Sequence, residues 1–468
     1  MVRSRIALTA LALTLSAAGI QAQTVTWGGG FPNDNFSAAT NWVGGAVPPG
    51  YTAGTDTVVF DDNSDSTLKL DVAGVSLLQL QVNDASGYGI YANVTGPNSL
   101  TLGSGGILLS SSDGYSSLDL NVAVVLGASQ AWSGGYVGAN STVSGSGSLT
   151  VSGGNWIAYA FNSGSNTFSG GLTASGDTTT VSLGATGTPL GTGPVTMGDG
   201  TILQPAITGP ITLSNAFTFG DGTNGNPVVV GASYNQFYNM PSSLTLTGPV
   251  TLVINGDSPM DSEIDLAPFT TLTLTGNIAG AVPGVCFDIG TTSTGNVLAI
   301  IKSPSITNVD RLDLEDSAAV VFDGGISQLS NLGYTIGTTS STYLGLGSSY
   351  VGQVANFIST YANPSSFSGT LGFDNTAGGT TTFTDAIDLT NFQMGGSFVG
   401  LGSETKAILT GLITPPGGFF GMTYYFGGGG GTLYVQSTLS DGTNPRSVNL
   451  APGGAPLTHV LQGPMTYT

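Results

Sequence analysis

Three acidic side chains alternate along a short stretch of the sequence, at Asp261, Glu263 and Asp265. Alternate residues of a β-strand point to the same side, so these three carboxylates would share one face. Ca²⁺ prefers several carboxylate oxygens as ligands, and such a face could supply them. We therefore take Asp261, Glu263 and Asp265 as candidate calcium ligands, with a solvated acidic face as the simpler interpretation. Two further acidic groups are open to the same interpretations: Asp310, Asp313, Glu315 and Asp316, and Asp61, Asp62 and Asp65.

The sequence supplies few other catalytic groups. It has one histidine, His459, and one cysteine, Cys286, so it offers no histidine-pair metal motif and no persuasive Ser-His-Asp site. The neighbours of Cys286 predict a small, buried apolar side chain, and those of His459 predict a position on a strand. Gly220–Gly225 has the spacing of a dinucleotide-binding loop, but the residues after it, through Val230, predict a strand where such a site needs a helix. No catalytic or cofactor-binding residue is predicted.

The charge balance limits the partners. The chain has 27 acidic residues against 7 Lys and Arg, which gives a net charge of −20. Nucleic acid is not an expected partner, because phosphate binding needs a basic surface. A single cysteine can form no internal disulfide, so stability must come from stacked strands.

The first 22 residues predict a cleaved secretory signal peptide. Two arginines, Arg3 and Arg5, precede an apolar run from Ile6 to Ile20, and small residues lead to a cleavage site after Ala22. The run is too short to cross a bilayer, and no later run approaches that length. We expect a secreted protein without a transmembrane helix.

Short runs in which apolar residues alternate with Thr or Ser recur along the rest of the chain, and this period of two predicts half-buried strands. Charged residues are only 7% of the chain, and 74 residues are Gly, which favours strands and tight turns over helices. The chain is longer than the about 200–250 residues of most single all-β domains, and no linker divides it. We predict an all-β parallel β-helix (β-solenoid), with two shorter β domains as the alternative. Typical runs are Ser99–Leu102, Ser148–Val151, Ser243–Thr247 and Thr271–Thr275.

Three segments resemble the autotransporter-associated β-strand repeat and the regions found around it. The repeat pattern is N-T-[YF]-[ST]-G-G-x-T, followed by a strand and L-G-x-G-x-V-T. It is matched here by Asn166, Thr167, Phe168, Ser169, Gly170, Gly171, Leu172 and Thr173, then by Leu190, Gly191, Thr192, Gly193, Pro194, Val195 and Thr196. An opening element is matched by Trp27, Asn41, Trp42, Pro48, Asp56 and Val58–Phe60, and a glycine-run element by Tyr425, Phe426, Gly427–Gly431 and Thr432–Val435.

This resemblance implies a right-handed parallel β-helix exported to the cell surface of a Gram-negative-type bacterium, as in autotransporter passengers. It implies no enzymatic activity. The expected division is a signal peptide at 1–22, an N-terminal cap with the first strands at 23–70, and β-helix repeats at 71–468. The final residues, Gly463 to Thr468, resemble the start of another repeat, so we expect the chain to be truncated at its C-terminus. The expected role is adhesion or envelope and matrix architecture, with further repeats of the same polypeptide or an extracellular polysaccharide as partner.

A polysaccharide-active enzyme on the same scaffold is the alternative function. Glycosidases use paired carboxylates, which Asp261 to Asp265 could provide. Aromatic residues at Phe419-Phe420 and Tyr424–Phe426 could stack on sugar rings. A lyase needs a cationic base, and basic residues are scarce here. A calcium- or carbohydrate-binding module is a third interpretation.

Overall fold

The chain forms a parallel β-solenoid of about 14 turns with little helix, as predicted. The computed structural model describes residues 22–29, 33–62, 67–111, 116–153, 158–231, 241–255, 260–292, 297–315, 317–332, 336–339, 341–362, 367–392, 399–416, 423–440, 445–450 and 458–466. The predicted signal peptide, apart from Ala22, lies outside these residues.

Three long sheets, here called sheets 1, 2 and 3, run along the solenoid. Sheet 1 contains Thr24–Thr26, Thr57–Asp61, Val75–Asp84, Leu100–Ser111, Val124–Leu126, Gln130–Ser133, Val143–Gly145, Leu149–Ser152, Leu172–Ser175, Val195–Met197, Phe217–Phe219, Val250–Leu252, Ile278–Gly280 and Ile306–Thr307. Sheet 2 contains Thr67–Lys69, Tyr91–Thr95, Ser117–Leu120, Tyr136–Ala139, Ala158–Phe161, Thr180–Leu183, Ile202–Pro205, Val228–Val230, Asp261–Leu266, Val285–Thr291, Val309–Leu314 and Ile336–Thr338. Sheet 3 contains Pro210–Leu213, Ser242–Leu246, Thr270–Leu274, Leu298–Ile301, Ala319–Phe322, Tyr343–Leu346, Gly369–Phe373, Val399–Gly402, Thr423–Phe426 and Ser447–Leu450.

Shorter sheets and helices complete the described residues. A four-stranded sheet contains Thr381–Phe383, Lys406–Leu409, Thr432–Val435 and Thr458–Leu461. Two strand pairs are Ile387–Asp388 with Ile413–Thr414, and Leu439–Ser440 with Met465–Thr466. The helical elements are Ala39–Asn41, Ile326–Leu329 and Ser348–Tyr350, which are 3₁₀ turns, and the α-helix Val354–Thr360. None of the helices in the described residues is long and apolar enough to cross a membrane.

The predicted alternation of apolar with polar residues determines which side chains form the core. In Ser242–Leu246 and Thr270–Leu274 the leucines are buried, and Leu244 pairs in register with Leu272. Stacked side chains of this kind form one apolar cluster that extends from Trp27 to Leu439. Each fully buried leucine contributes about 1.5–3 kcal/mol relative to exposure. The continuous core and the overlapping long sheets rule out two separate β domains.

Glycines hold the corner where the chain enters sheet 1. At Gly170, Gly193, Gly248 and Gly276 a Cβ atom would overlap the backbone of the preceding turn. The turns can therefore stack at this corner only where the side chain is a hydrogen atom. This close approach accounts for the recurring glycines of the sequence pattern.

Asparagines form a ladder beside sheet 2. Asn121 Nδ2 donates to Asn93 Oδ1 over 2.7 Å, Asn140 Nδ2 to Asn121 Oδ1 over 3.1 Å, and Asn162 Nδ2 to Asn140 Oδ1 over 2.6 Å. An amide carries two N–H donors and an oxygen with two lone pairs, so stacked amides bond to one another and keep capacity for a further partner.

Aromatic residues surround the first turn. The rings of Trp27 and Trp42 meet edge to face at 4.9 Å, and Phe36 packs on Trp42 at 5.1 Å and on Tyr51 at 5.3 Å. Both indoles also hydrogen-bond to backbone: Trp27 Nε1 donates to the Thr67 carbonyl and Trp42 Nε1 to the Phe36 carbonyl. Buried tryptophans normally need such partners for the N–H group. The two tryptophans of the opening element therefore pack together at this end of the core.

Candidate functional site

Polar and charged side chains gather on the outer face of sheet 2, across three neighbouring strands. The register places Asp261 beside Cys286 and Cys286 beside Arg311, and it places Glu263 beside Asp288 and Asp288 beside Asp313. We call this group the sheet 2 cluster. Its members are Asp261, Glu263, Asp265, Cys286, Asp288, Arg311, Asp313 and Glu315.

The three predicted calcium ligands lie on one strand with alternating burial. Ser262, Ile264 and Leu266 are buried, whereas Asp261, Glu263 and Asp265 are partly exposed. Of these acids, the structure brings Asp261 into a group of potential ligands with Cys286 and Asp288, whose donor atoms lie within 4.8 Å of one another.

The Cys286 thiol lies at the centre of the cluster. Its Sγ donates to Asp288 Oδ1 at 2.9 Å and accepts from Arg311 Nε at 3.2 Å. The same Arg311 Nε forms an ion pair with Asp313 Oδ2 at 2.7 Å. Burial and the carboxylates of Asp288 and Asp313 raise the pKa of the thiol. A protonated thiol is a poor metal ligand, and Ca²⁺ prefers oxygen, so calcium at this site stays a prediction of the sequence.

Asp288 is the most buried carboxyl group of the sheet 2 cluster. Burial raises its pKa to about 7; the hydrogen bond from Cys286 opposes this shift, and the charges of Asp261, Asp313 and Glu315 add to it. Burial also raises the pKa of Asp313, although the guanidinium of Arg311 acts in the opposite direction. The cluster can therefore hold a proton near neutral pH, which is the property required of a general acid.

The prediction for Cys286 was right about burial and wrong about its surroundings. The residue is 4% exposed, but it does not belong to the apolar core cluster that includes Val285 and Phe287. Its two apolar neighbours point inward, so the strand alternation turns the thiol toward the carboxylates. That alternation was the available signal for grouping Cys286 with Asp288, but the contact with Arg311 depends on register between turns.

The other predicted acids and aromatics are not gathered into this cluster. Asp61 ends a strand of sheet 1, and His459 lies on Thr458–Leu461, as expected, where it pairs with Leu433. Tyr424 and Phe426 are buried with their rings stacked at 6.5 Å. The predicted residues outside the described part of the chain are Asp65, Asp316, Phe419 and Phe420.

The loop Gly220–Gly225 surrounds a carboxylate of the chain itself. Asp199 accepts hydrogen bonds from the backbone N–H groups of Asp221 at 2.8 Å, Thr223 at 2.6 Å and Asn224 at 3.0 Å. Burial opposes ionisation, but these N–H groups outweigh it and lower the pKa of Asp199. The strand Val228–Val230 follows. The loop is therefore a corner that binds an internal anion, in agreement with the sequence interpretation.

The repeat-motif residues bind neighbouring turns together. Asn166 is completely buried; its Oδ1 accepts from the Val143 N–H at 2.7 Å, and its Nδ2 donates to the Pro189 carbonyl at 2.6 Å, 23 residues away. The backbone N–H of Thr167 donates to the carbonyl of Val143. A single amide thus joins three successive turns.

The remaining motif residues pack around that amide. Phe168 and Leu190 are buried, and a Cβ at Gly191, which has a positive φ of 70°, would meet the ring of Phe168 at 2.9 Å. Gly171 also has a positive φ, and Gly170 and Gly193 lie at the glycine corner. These motif residues therefore shape and pack the turns.

A second buried polar group is linked to the glycine run Gly427–Gly431 through Glu404. Tyr343 Oη donates to Asp374 Oδ2 at 2.6 Å, and Asp374 Oδ1 accepts from the backbone N–H groups of Glu404 and Thr405 at 2.9 and 3.0 Å. The Gly430 N–H donates to Glu404 Oε2 at 3.2 Å. Burial raises the pKa values of Tyr343 and Asp374, even though the hydrogen bonds to Asp374 favour its ionised form.

Comparison of the chain with protein-family models, with curated proteins and with solved structures found no match.

Proposed function

We propose that the chain is a non-enzymatic, secreted or surface-displayed β-solenoid of the autotransporter-passenger type, serving adhesion or envelope and matrix architecture. The observation that carries the proposal is the use made of buried polar groups. Asn166, Asp199 and Asp374 all direct their side chains to backbone groups of neighbouring turns. Such contacts stabilise a long scaffold. The polar groups that make them are used for hydrogen bonds between turns.

The sequence features support the same proposal. The residues before Ala22 have the layout of a secretory signal, and the solenoid stands without any disulfide, since its one cysteine is free. Solenoids are extended and present long faces to a partner. That geometry suits a protein displayed outside the cell.

Fractionation of cells tests the proposal. The full chain is expressed in a Gram-negative host beside a matched variant that lacks residues 2–22. We expect the full chain to leave the cytoplasm and to begin at Gln23 by mass spectrometry, whereas the shortened variant stays inside. Retention of the full chain in the cytoplasm with Met1 or Val2 still attached would contradict the proposal.

A glycoside hydrolase is the second candidate, and the observation that favours it is the raised pKa of Asp288 beside Asp261. One protonated and one ionised carboxyl group are what glycoside hydrolysis requires. Release of reducing ends from neutral polysaccharides by the wild-type chain, lost in Asp288→Asn and Asp261→Asn, would establish this function in place of the first.

A further inference from the structure

Two tyrosines stand on the outer face of sheet 2, far from the sheet 2 cluster. Tyr91 is 67% exposed and Tyr136 is 38% exposed. Both pair in register with Ser117, one from each side. The two side chains are therefore two strands apart, about 9–10 Å along the solenoid axis.

The ring of Tyr136 lies along its own strand. Its Cε1 and Oη atoms are each 3.2 Å from the position that a Cβ at Gly138 would take. The absence of a side chain at Gly138 lets the ring lie low across the sheet, with one side covered. Its hydroxyl also forms a hydrogen bond with Asn162. This aromatic surface is held in place before any partner binds.

Hydrogen-bonding groups adjoin the two rings. The asparagine ladder of Asn93, Asn121, Asn140 and Asn162 follows the same outer face, and Asp119 Oδ1 accepts from Asn140 Nδ2 at 3.2 Å. Ladder residues Asn121, Asn140 and Asn162 are exposed. We call the two tyrosines, Asp119 and the four asparagines the tyrosine face.

The charge of this face selects a class of ligand. Asp119 is its one charged member, and Lys69 borders it on the preceding strand of sheet 2, in register with Thr95. The chain as a whole carries −20, so an anionic polymer would be repelled. Aromatic rings with adjacent amides and a carboxylate suit a ligand that has apolar ring faces and many hydroxyl groups.

We propose that the tyrosine face binds a neutral extracellular polysaccharide, with sugar rings stacked on Tyr91 and Tyr136. The separation of the tyrosines is close to the length of two sugar units in an extended β-1,4-linked chain. Hydroxyl groups of the sugars exchange hydrogen bonds with Asp119 and the ladder amides. This inference rests on the proposed function, because it names the partner of a protein displayed outside the cell.

Native gels that contain a neutral polysaccharide test the inference with the purified chain. The panel is hydroxyethylcellulose, a β-1,3-glucan, xylan and galactomannan, with alginate and polygalacturonate as anionic polymers. We expect at least one neutral gel to retard the protein and the anionic gels to leave its mobility unchanged. Tyr91→Ala and Tyr136→Ala each weaken binding about fivefold to tenfold, and the double variant loses it.

Control variants separate ring stacking from a loss of structure. Tyr434, on Thr432–Val435 of another sheet, is a partly exposed tyrosine beside Lys406, and Tyr434→Ala should bind as well as the wild type. Tyr91→Phe keeps the ring and should retain binding. Gly138→Ala places a Cβ against the Asp119 carboxylate first and then against the Tyr136 ring, so it should weaken binding while both tyrosines are present. Thermal unfolding checks that each variant is folded.

Three outcomes would overturn the inference: unchanged binding by the folded double variant, no retardation in any neutral gel, or stronger binding to the anionic polymers. The proposed function can fail separately. A chain that stays in the cytoplasm but binds neutral glycan through Tyr91 and Tyr136 contradicts the display role alone. A chain that is exported and binds none of the neutral polymers contradicts the polysaccharide alone.

Discussion

Polar side chains lie between neighbouring turns both around Asn166 and in the sheet 2 cluster, but they are satisfied in different ways. The Asn166 amide donates to one turn and accepts from another. An ionised carboxylate only accepts hydrogen bonds and carries a negative charge. Asp261, Asp288 and Asp313 therefore repel one another unless a proton or a cation lies between them. Arg311 supplies one cation, on Asp313. The comparison teaches that amides make a turn junction insensitive to pH, whereas stacked acids make it depend on pH.

The largest expected effect tests the backbone approach beside Asn166. Gly193→Ala should lower the free energy of unfolding by about 3 kcal/mol, because the added Cβ overlaps the backbone of Gly171 and Ser169. Urea unfolding followed by circular dichroism measures it. Gly209→Ala is the matched control, since nothing lies within 4 Å of its Cβ position. Equal stability of the two variants would show that the corner adapts easily.

Asn166→Ala should cost about 2–3 kcal/mol, because it leaves the buried Val143 N–H and Pro189 carbonyl without their partner. The loss should be the same at pH 5 and pH 8. Asn162→Ala removes an exposed amide from the ladder, and we expect a loss of less than about 1 kcal/mol. Urea unfolding at the two pH values measures both. A loss of stability in Asn166→Ala that depends strongly on pH would contradict the proposed difference between the Asn166 junction and the sheet 2 cluster.

The substitution expected to change stability in the sheet 2 cluster has an effect of the opposite sign. The pKa of Asp288 is raised to about 7 in the folded chain, above the ordinary value of about 3.9, so the folded state holds this proton more tightly than the unfolded state. The free energy of unfolding should therefore fall as pH rises from about 4 to 7 and level off above. Asp288→Asn should reduce this slope and be more stable than the wild type by about 1–2 kcal/mol at pH 8.

Unfolding curves at pH 4.5, 6 and 8 measure this difference. Asp388→Asn, at an exposed aspartate in a separate strand pair, serves as the control and should keep the wild-type slope. A slope that survives undiminished in Asp288→Asn would assign the proton to another carboxyl group whose pKa is raised, such as Asp313 in the cluster or Asp374 outside it.

Much of the fold follows from local pattern. Alternation in stretches such as Thr270–Leu274 fixes which side chains face inward, and glycines such as Gly193 mark corners. The cluster could be predicted only in part, because Cys286 and Arg311 meet through register between turns, 25 residues apart. Turn lengths vary along this chain, so no local signal sets that register. The same limit hid the tyrosine face, since Tyr91 and Tyr136 are brought together by their shared neighbour Ser117.

The asparagine ladder has a direction. Asn121, Asn140 and Asn162 each donate to the asparagine before them in the chain, so Asn93, Asn121 and Asn140 each accept from the one after. The aligned dipoles add, so each amide joined to the row meets a more strongly polarised acceptor than a lone amide would provide. A polypeptide that emerges amino end first therefore finds, for each new asparagine, an acceptor already in place. Each turn added in that order extends the row with its hydrogen bonds pointing the same way.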